Sequence, residues 1–282
     1  MPQPPHGLAH PAERPGRGAT ASVRGLVKGF GRLEVLRGID LDFRAGETTV
    51  VLGPSGTGKS VLLKLLVGLL KPDAGEVWFG EERIDEWSEP RLASVRRRVG
   101  YLFQQGALFD SLTVAENVAF PLQEAGVGDP KATEHRVRTA LRLVGLADLV
   151  DRMPSQLSGG QQKRVALARA IVLGPELILY DEPTTGLDPI RSDLINELIV
   201  RLKRSLKVTS VVVTHDLASA FKVADRMIML HEGRILLDAA PEVFRQTDQP
   251  VVQRFLRGEA SEEDLAAIAS EASDAATFRR GS

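Results

Sequence analysis

The sequence predicts an α/β fold with a central, mostly parallel sheet, an antiparallel β portion at the N-terminus and a helical insertion. Three observations predict it. Thr48–Leu52, Leu177–Tyr180 and Val208–Thr214 are continuous apolar, β-branched runs, as expected for strands buried on both faces of a parallel sheet. Helical patterns such as Ser60–Leu70 and Arg191–Lys203 lie between them, and that alternation is the signature of α/β architecture. The stretch from about Ser88 to Leu173 is rich in Leu, Ala, Arg and Glu and reads as a mostly helical insertion between two sheet strands.

In chain order, residues 1–20 are rich in Pro, Gly, Ala and His. They carry too little apolar surface to offset chain entropy and read as a disordered tail. His6 and His10 alone supply too few ligands for a metal. From Ala21 to about Phe43, Val23, Leu26 and Val27 precede a Gly-Phe-Gly turn, followed by near-alternating Ile39, Leu41 and Phe43, which reads as strand, turn, strand. The main domain is placed at residues 21–245, with the insertion at about 88–173. Residues 246–282 form a partly helical extension, acidic from Gly258 onward. There Ser261 with Asp264 resembles a capping box, and Leu265 and Ile268 share one helical face.

Of the 282 residues, 43% are hydrophobic and 26% charged, the profile of a globular protein. The net charge of −1 favours neither nucleic acid nor anionic lipid. Cysteine is absent, which excludes disulfides, thiolate chemistry and Cys-based zinc sites. No run approaches the roughly 20 apolar residues of a spanning helix; Val61–Leu70 is interrupted by Lys64. Prolines at positions 2, 4, 5, 11 and 15 occupy the place of a signal-peptide core. For action on a membrane, another subunit would supply the spanning part.

Gly53-Pro54-Ser55-Gly56-Thr57-Gly58-Lys59-Ser60 fits G-x-x-x-x-G-K-[ST] in full, after a buried strand and at the start of a helix that continues with Val61. The motif in this setting resembles the core of a P-loop NTPase. Glycines let the backbone wrap a phosphate, and the helix start offers unpaired N–H groups. Lys59 supplies a point charge to the β/γ-phosphates, and the Ser60 hydroxyl is a hard ligand for Mg²⁺. A second apolar strand ends in Asp181 and Glu182, at the strand end that faces the ligand crevice of such sheets. Asp181 is placed to hold Mg²⁺ through water. Glu182 is placed to deprotonate the attacking water.

Leu157-Ser158-Gly159-Gly160-Gln161, followed by Gln-Lys-Arg-Val, resembles the signature sequence of the ABC ATPase superfamily. The resemblance spans residues 22–240. It implies that Gln104 is the Q-loop glutamine sensing Mg²⁺ and the γ-phosphate, Asp188 the D-loop aspartate and His215 the switch histidine. It also implies that Phe30, between two glycines, is the aromatic that stacks on adenine. Two copies are then expected to face each other head to tail, each ATP lying between one phosphate loop and the other copy's Ser158–Gly160. A single cassette without a spanning segment looks like a bacterial transporter built from separate subunits.

The stretches GPSGTGKSVLLK at 53–64, VRRRVGYLFQQGALFDSLTVAENVAFP at 95–121 and PVVQRFLRG at 250–258 are similar to the ATPase subunit of Mla-type (MCE) phospholipid transporters. That likeness implies phospholipid as cargo, a membrane permease pair and an MCE lipid-binding protein on the far side of the membrane. The acidic tail is expected to pack on the neighbouring ATPase or on a small regulatory partner, or to be a frayed solubilising end. It also implies a peripheral position on the cytoplasmic face of the inner membrane. Leu108, Phe109, Leu112 and Val114 are expected either to form the groove for a permease helix or to be ordinary core. Transport of another cargo stays open. A non-transport ABC ATPase is disfavoured by the single cassette and the lack of coiled-coil insertions, and a P-loop kinase by the signature.

Overall fold

The computed structural model describes residues 19–260; of the tail expected to be disordered, residues 1–18 lie outside them while Ala19 and Thr20 begin the first strand, and the Ser261–Asp264 capping box lies outside them. The strands are β1 (Ala19–Phe30), β2 (Leu33–Arg44), β3 (Thr48–Leu52), β4 (Ala74–Phe79), β5 (Glu82–Arg83), β6 (Val99–Leu102), β7 (Leu177–Asp181), β8 (Thr209–Thr214), β9 (Arg226–His231) and β10 (Arg234–Ala239). The helices are α1 (Lys59–Leu66), α2 (Glu89–Arg96), α3 (Val114–Glu124), α4 (Pro130–Leu143), α5 (Gly159–Ile171), α6 (Pro189–Leu206), α7 (Leu217–Val223), α8 (Pro241–Gln246) and α9 (Pro250–Arg257).

Two sheets result. One is antiparallel, in the order β2-β1-β4-β5. The other runs β10-β9-β3-β8-β7-β6 and is parallel except for β10 against β9. The period of two along each central strand explains why every residue of β3, β7 and β8 is buried. Val50, Leu52, Ile178, Tyr180 and Val212 enter a core shared with α3, α4, α5 and α6. Val51, Leu177, Leu179, Val211 and Val213 enter a second core shared with the antiparallel sheet and α1. The large sheet is thus a wall between two cores, and its strand ends project as rigid platforms.

Two sequence expectations shift. The segment read as a helical insertion contains β6, a full member of the parallel sheet with Val99 opposite Leu177 and Leu102 opposite Tyr180. Here pairing overrides a weak local strand signal. Helix α1 stops at Leu66 rather than Leu70 because Gly68 turns left-handed (φ 64°) and the amides of Leu69 and Leu70 both return to the Lys64 carbonyl. Among the described residues no helix is long and apolar enough to cross a membrane.

Candidate active site

The order β3-β8-β7 decides where the chemistry meets. The phosphate loop leaves the C-terminal end of β3, His215 follows β8 and the acidic pair ends β7. Three adjacent parallel strands therefore deliver their polar ends to one crevice, the expected ligand position in such sheets.

Gly58 initiates α1 at φ 98°, a left-handed value that side chains disfavour, and an added Cβ would lie 2.7 Å from Val35 Cγ1. The loop thereby presents its amides at the start of α1, where the helix dipole also favours an anion. Lys59 is buried and curls back, donating to the carbonyls of Gly53 at 2.7 Å and Pro54 at 2.9 Å. Burial pulls its ammonium below the ordinary lysine value, opposed by the charges of Glu182 and Asp181. The outer face of the loop borders a cavity of about 690 Å³ whose far wall includes Arg254 and Phe255 of α9.

Ser60 Oγ donates to Asp181 Oδ1 at 2.7 Å, and the Tyr101 hydroxyl donates to Asp181 Oδ2 at 3.2 Å. Burial first, then the Asp181 charge, pushes the Tyr101 phenol far above its ordinary value, so it stays a donor. Glu182 is 8% exposed. Its Oε2 accepts from Thr185 Oγ1 at 3.2 Å and Thr214 Oγ1 at 3.4 Å and lies 3.0 Å from His215 Nδ1. Its backbone is left-handed at φ 49°, a conformation that costs a non-glycine residue about 1–3 kcal/mol. Lys163 of α5 secures that loop, its Nζ donating to the carbonyls of Thr185 at 2.6 Å, Pro183 at 3.0 Å and Glu182 at 3.5 Å.

A magnesium ion fits this donor set. Ser60 Oγ and Asp181 Oδ1 are adjacent hard oxygens, while no cluster of three acidic or imidazole side chains among the described residues could hold a metal unaided. Magnesium commonly takes one or two protein oxygens and completes its shell with water and substrate phosphates.

Lys59, Ser60, Asp181, Glu182 and His215 thus form one cluster. The other expected site residues stand apart from it. Phe30 is 48% exposed at the end of β1, with Lys28 Nζ 5.5 Å from its ring centroid. Gln104 is exposed just beyond β6. Asp188 caps α6, accepting from the Arg191 amide at 2.9 Å. Ser158 caps α5 in a capping box with Gln161. Of the apolar residues after Gln104, Val114 is fully buried core, whereas Phe109 is 40% exposed beside a cavity of about 460 Å³ that Tyr101, Phe103, Phe120 and Arg169 also line. Tyr101, Lys163, Thr185 and Thr214 were not singled out by the sequence. Lys163 alone left a signal there, a cation on the helical face it shares with Ala166 and Ala170.

The profile of the ABC transporter family matches residues 36–185, which include the phosphate loop, the signature and the acidic pair. The chain belongs to the ABC transporter family. It is a P-loop ATPase of the ABC type. This ABC ATPase is 42% identical over 241 residues, 86% of its length and 70% of the other's, to a protein of Mycobacterium leprae named as a probable ribonucleotide transport ATP-binding protein, mkl. It is 40% identical over 237 residues, 84% of its length and 90% of the other's, to the intermembrane phospholipid transport system ATP-binding protein MlaF of Haemophilus influenzae. Its fold matches a dimeric ATP-binding cassette holding ADP and Pi in a post-hydrolysis state, with a TM-score of 0.72 and 33% identity. That match covers 78% of this chain and 98% of the cassette.

Proposed function

We propose that this ABC ATPase is the ATP-hydrolysing subunit of a phospholipid transporter. The phosphate loop would take the triphosphate, whose oxygens would accept from the loop amides and from Lys59 in place of the Gly53 and Pro54 carbonyls. Magnesium, held by Ser60, Gln104 and, through water, Asp181, would neutralise phosphate charge. Glu182 is assigned as the general base that takes the proton of the attacking water. His215, with Nδ1 3.0 Å from the Glu182 carboxylate, would orient that base and reach the γ-phosphate. Phe30, exposed at the strand end, is assigned to adenine. Catalysis of this kind is mainly positioning and charge stabilisation.

The signature is assigned to a second copy's nucleotide. Gly159 and Gly160 have no left-handed backbone, and a Cβ on either would meet nothing closer than Arg191 Cδ at 3.5 Å. Nothing inside the protomer asks for glycine there, although glycine weakens a helix start. A ligand approaching from outside the chain accounts for both residues and for the unpaired amides of α5. Asp188 lies on the same face, joined to Arg191.

The single observation that carries the cargo assignment is the likeness to MlaF over nearly that protein's whole length. A permease docking in the Phe103–Phe109–Phe120 cavity, an MCE lipid-binding protein and a peripheral position at the cytoplasmic membrane face follow from that assignment, and a small regulatory partner is assigned to the acidic tail. The name of the mkl relative favours a second reading, ribonucleotide transport.

The test is to co-purify the protein with its permease, reconstitute the complex and measure ATP-driven movement of labelled phospholipid. Transfer should be lost in Glu182→Gln. Transport of ribonucleotide with no phospholipid movement would contradict the assignment.

A further inference from the structure

We propose that Tyr101 is a positioning residue for the metal-holding carboxylate, its hydroxyl fixing Asp181 Oδ2 so that Oδ1 stays aimed at Ser60. The inference rests on the proposed role of Ser60 and Asp181 in holding magnesium.

Asp181 is 5% exposed at the last position of β7. Its two carboxylate oxygens have different partners. Oδ1 accepts from Ser60 Oγ at 2.7 Å and Oδ2 from the Tyr101 hydroxyl at 3.2 Å. The terminal torsion of aspartate is broad and roughly two-fold, so a carboxylate with one tethered oxygen can swing. A second tether fixes its plane. The donor is itself fixed. Tyr101 lies in β6, in register with Leu179 of β7, and its ring stacks on Phe103 at 4.1 Å between centroids and 22° between planes.

The chemistry of the donor matters as much as its place. A lysine or arginine at this position would neutralise Asp181 and compete with a divalent cation. A phenol satisfies the second oxygen while leaving the carboxylate its charge. Outer-shell donors of this kind commonly govern metal affinity by about 10–100-fold. Tyr101→Phe removes the hydroxyl and keeps the stacked ring.

The experiment measures binding of a fluorescent trinitrophenyl ATP to the full chain, in EDTA and across a magnesium titration, with melting temperature recorded alongside. Tyr101→Phe should melt like the parent and bind the nucleotide within about twofold in EDTA, yet need about tenfold more magnesium for the half-maximal gain in affinity. Placed in an Asp181→Asn background, the same change should have no further effect on the magnesium response. An unchanged magnesium midpoint would overturn the proposal. So would an equal loss of affinity with and without the metal, which assigns Tyr101 to packing, or an undiminished effect in the Asp181→Asn background. A parent protein with no magnesium response at all contradicts the proposed function itself.

Discussion

Glu182 shows how one residue's backbone and side chain are held separately. Its left-handed backbone is held by Lys163, whose ammonium gathers three carbonyls of the loop that follows. Its carboxylate is held by His215, Thr185 and Thr214. Burial draws the Lys163 ammonium below the ordinary lysine value, opposed by the charge of Glu182. Lys163→Met, similar in length, strands those carbonyls. We expect it to destabilise the protein by about 1–3 kcal/mol in urea unfolding and to lower kcat more than nucleotide affinity. Parent stability together with parent turnover would refute the role of this cage.

At the scale of elements, the start of α5 separates folding from function. Gly159 follows the Ser158 cap, is exposed and leaves open space where an added methyl group would sit. Gly159→Ala should therefore leave the protomer as stable or raise its stability by up to about 1 kcal/mol. If a phosphate of the facing copy approaches here, the same change should cut ATPase activity by about a hundredfold. Thermal melting and steady-state turnover read the two effects independently, and a variant as active as the parent would remove the signature from the nucleotide site.

Elements differ in how legible they are. β3, β7 and β8 were readable because burial on both faces demands an unbroken apolar run. β6 was not, because Val99–Leu102 is short, contains a glycine and follows three arginines. Its reason for being a strand is tertiary. A Cβ on Gly100 would sit 2.6 Å from the Ala170 carbonyl of α5, so the glycine admits a close helix–sheet approach that no local pattern announces. Likewise the phosphate loop, Asp181, Glu182 and His215 were legible as motifs. Tyr101 and Thr214 became visible only once β6, β7 and β8 lay side by side.

For the molecule as a whole, the large sheet fixes the catalytic cluster at the C-terminal ends of its inner strands while the signature turn keeps its hydrogen bonds to itself and its helix. On the proposed reading each protomer would carry one half of two different sites, with ATP as the part that joins them. Net charge is close to zero, so long-range repulsion between copies is weak, and on the proposed reading contacts at the nucleotide would decide association. Hydrolysis would release the joint and turn phosphate chemistry into movement of one protomer against the other.

The most direct measurement is the solution mass of Glu182→Gln with saturating ATP and magnesium. The expected result is a dimer, at twice the protomer's 30.6 kDa, with two ATP bound and a return to monomer when the nucleotide is removed. A protein that fills with ATP yet stays monomeric at micromolar concentration would contradict it.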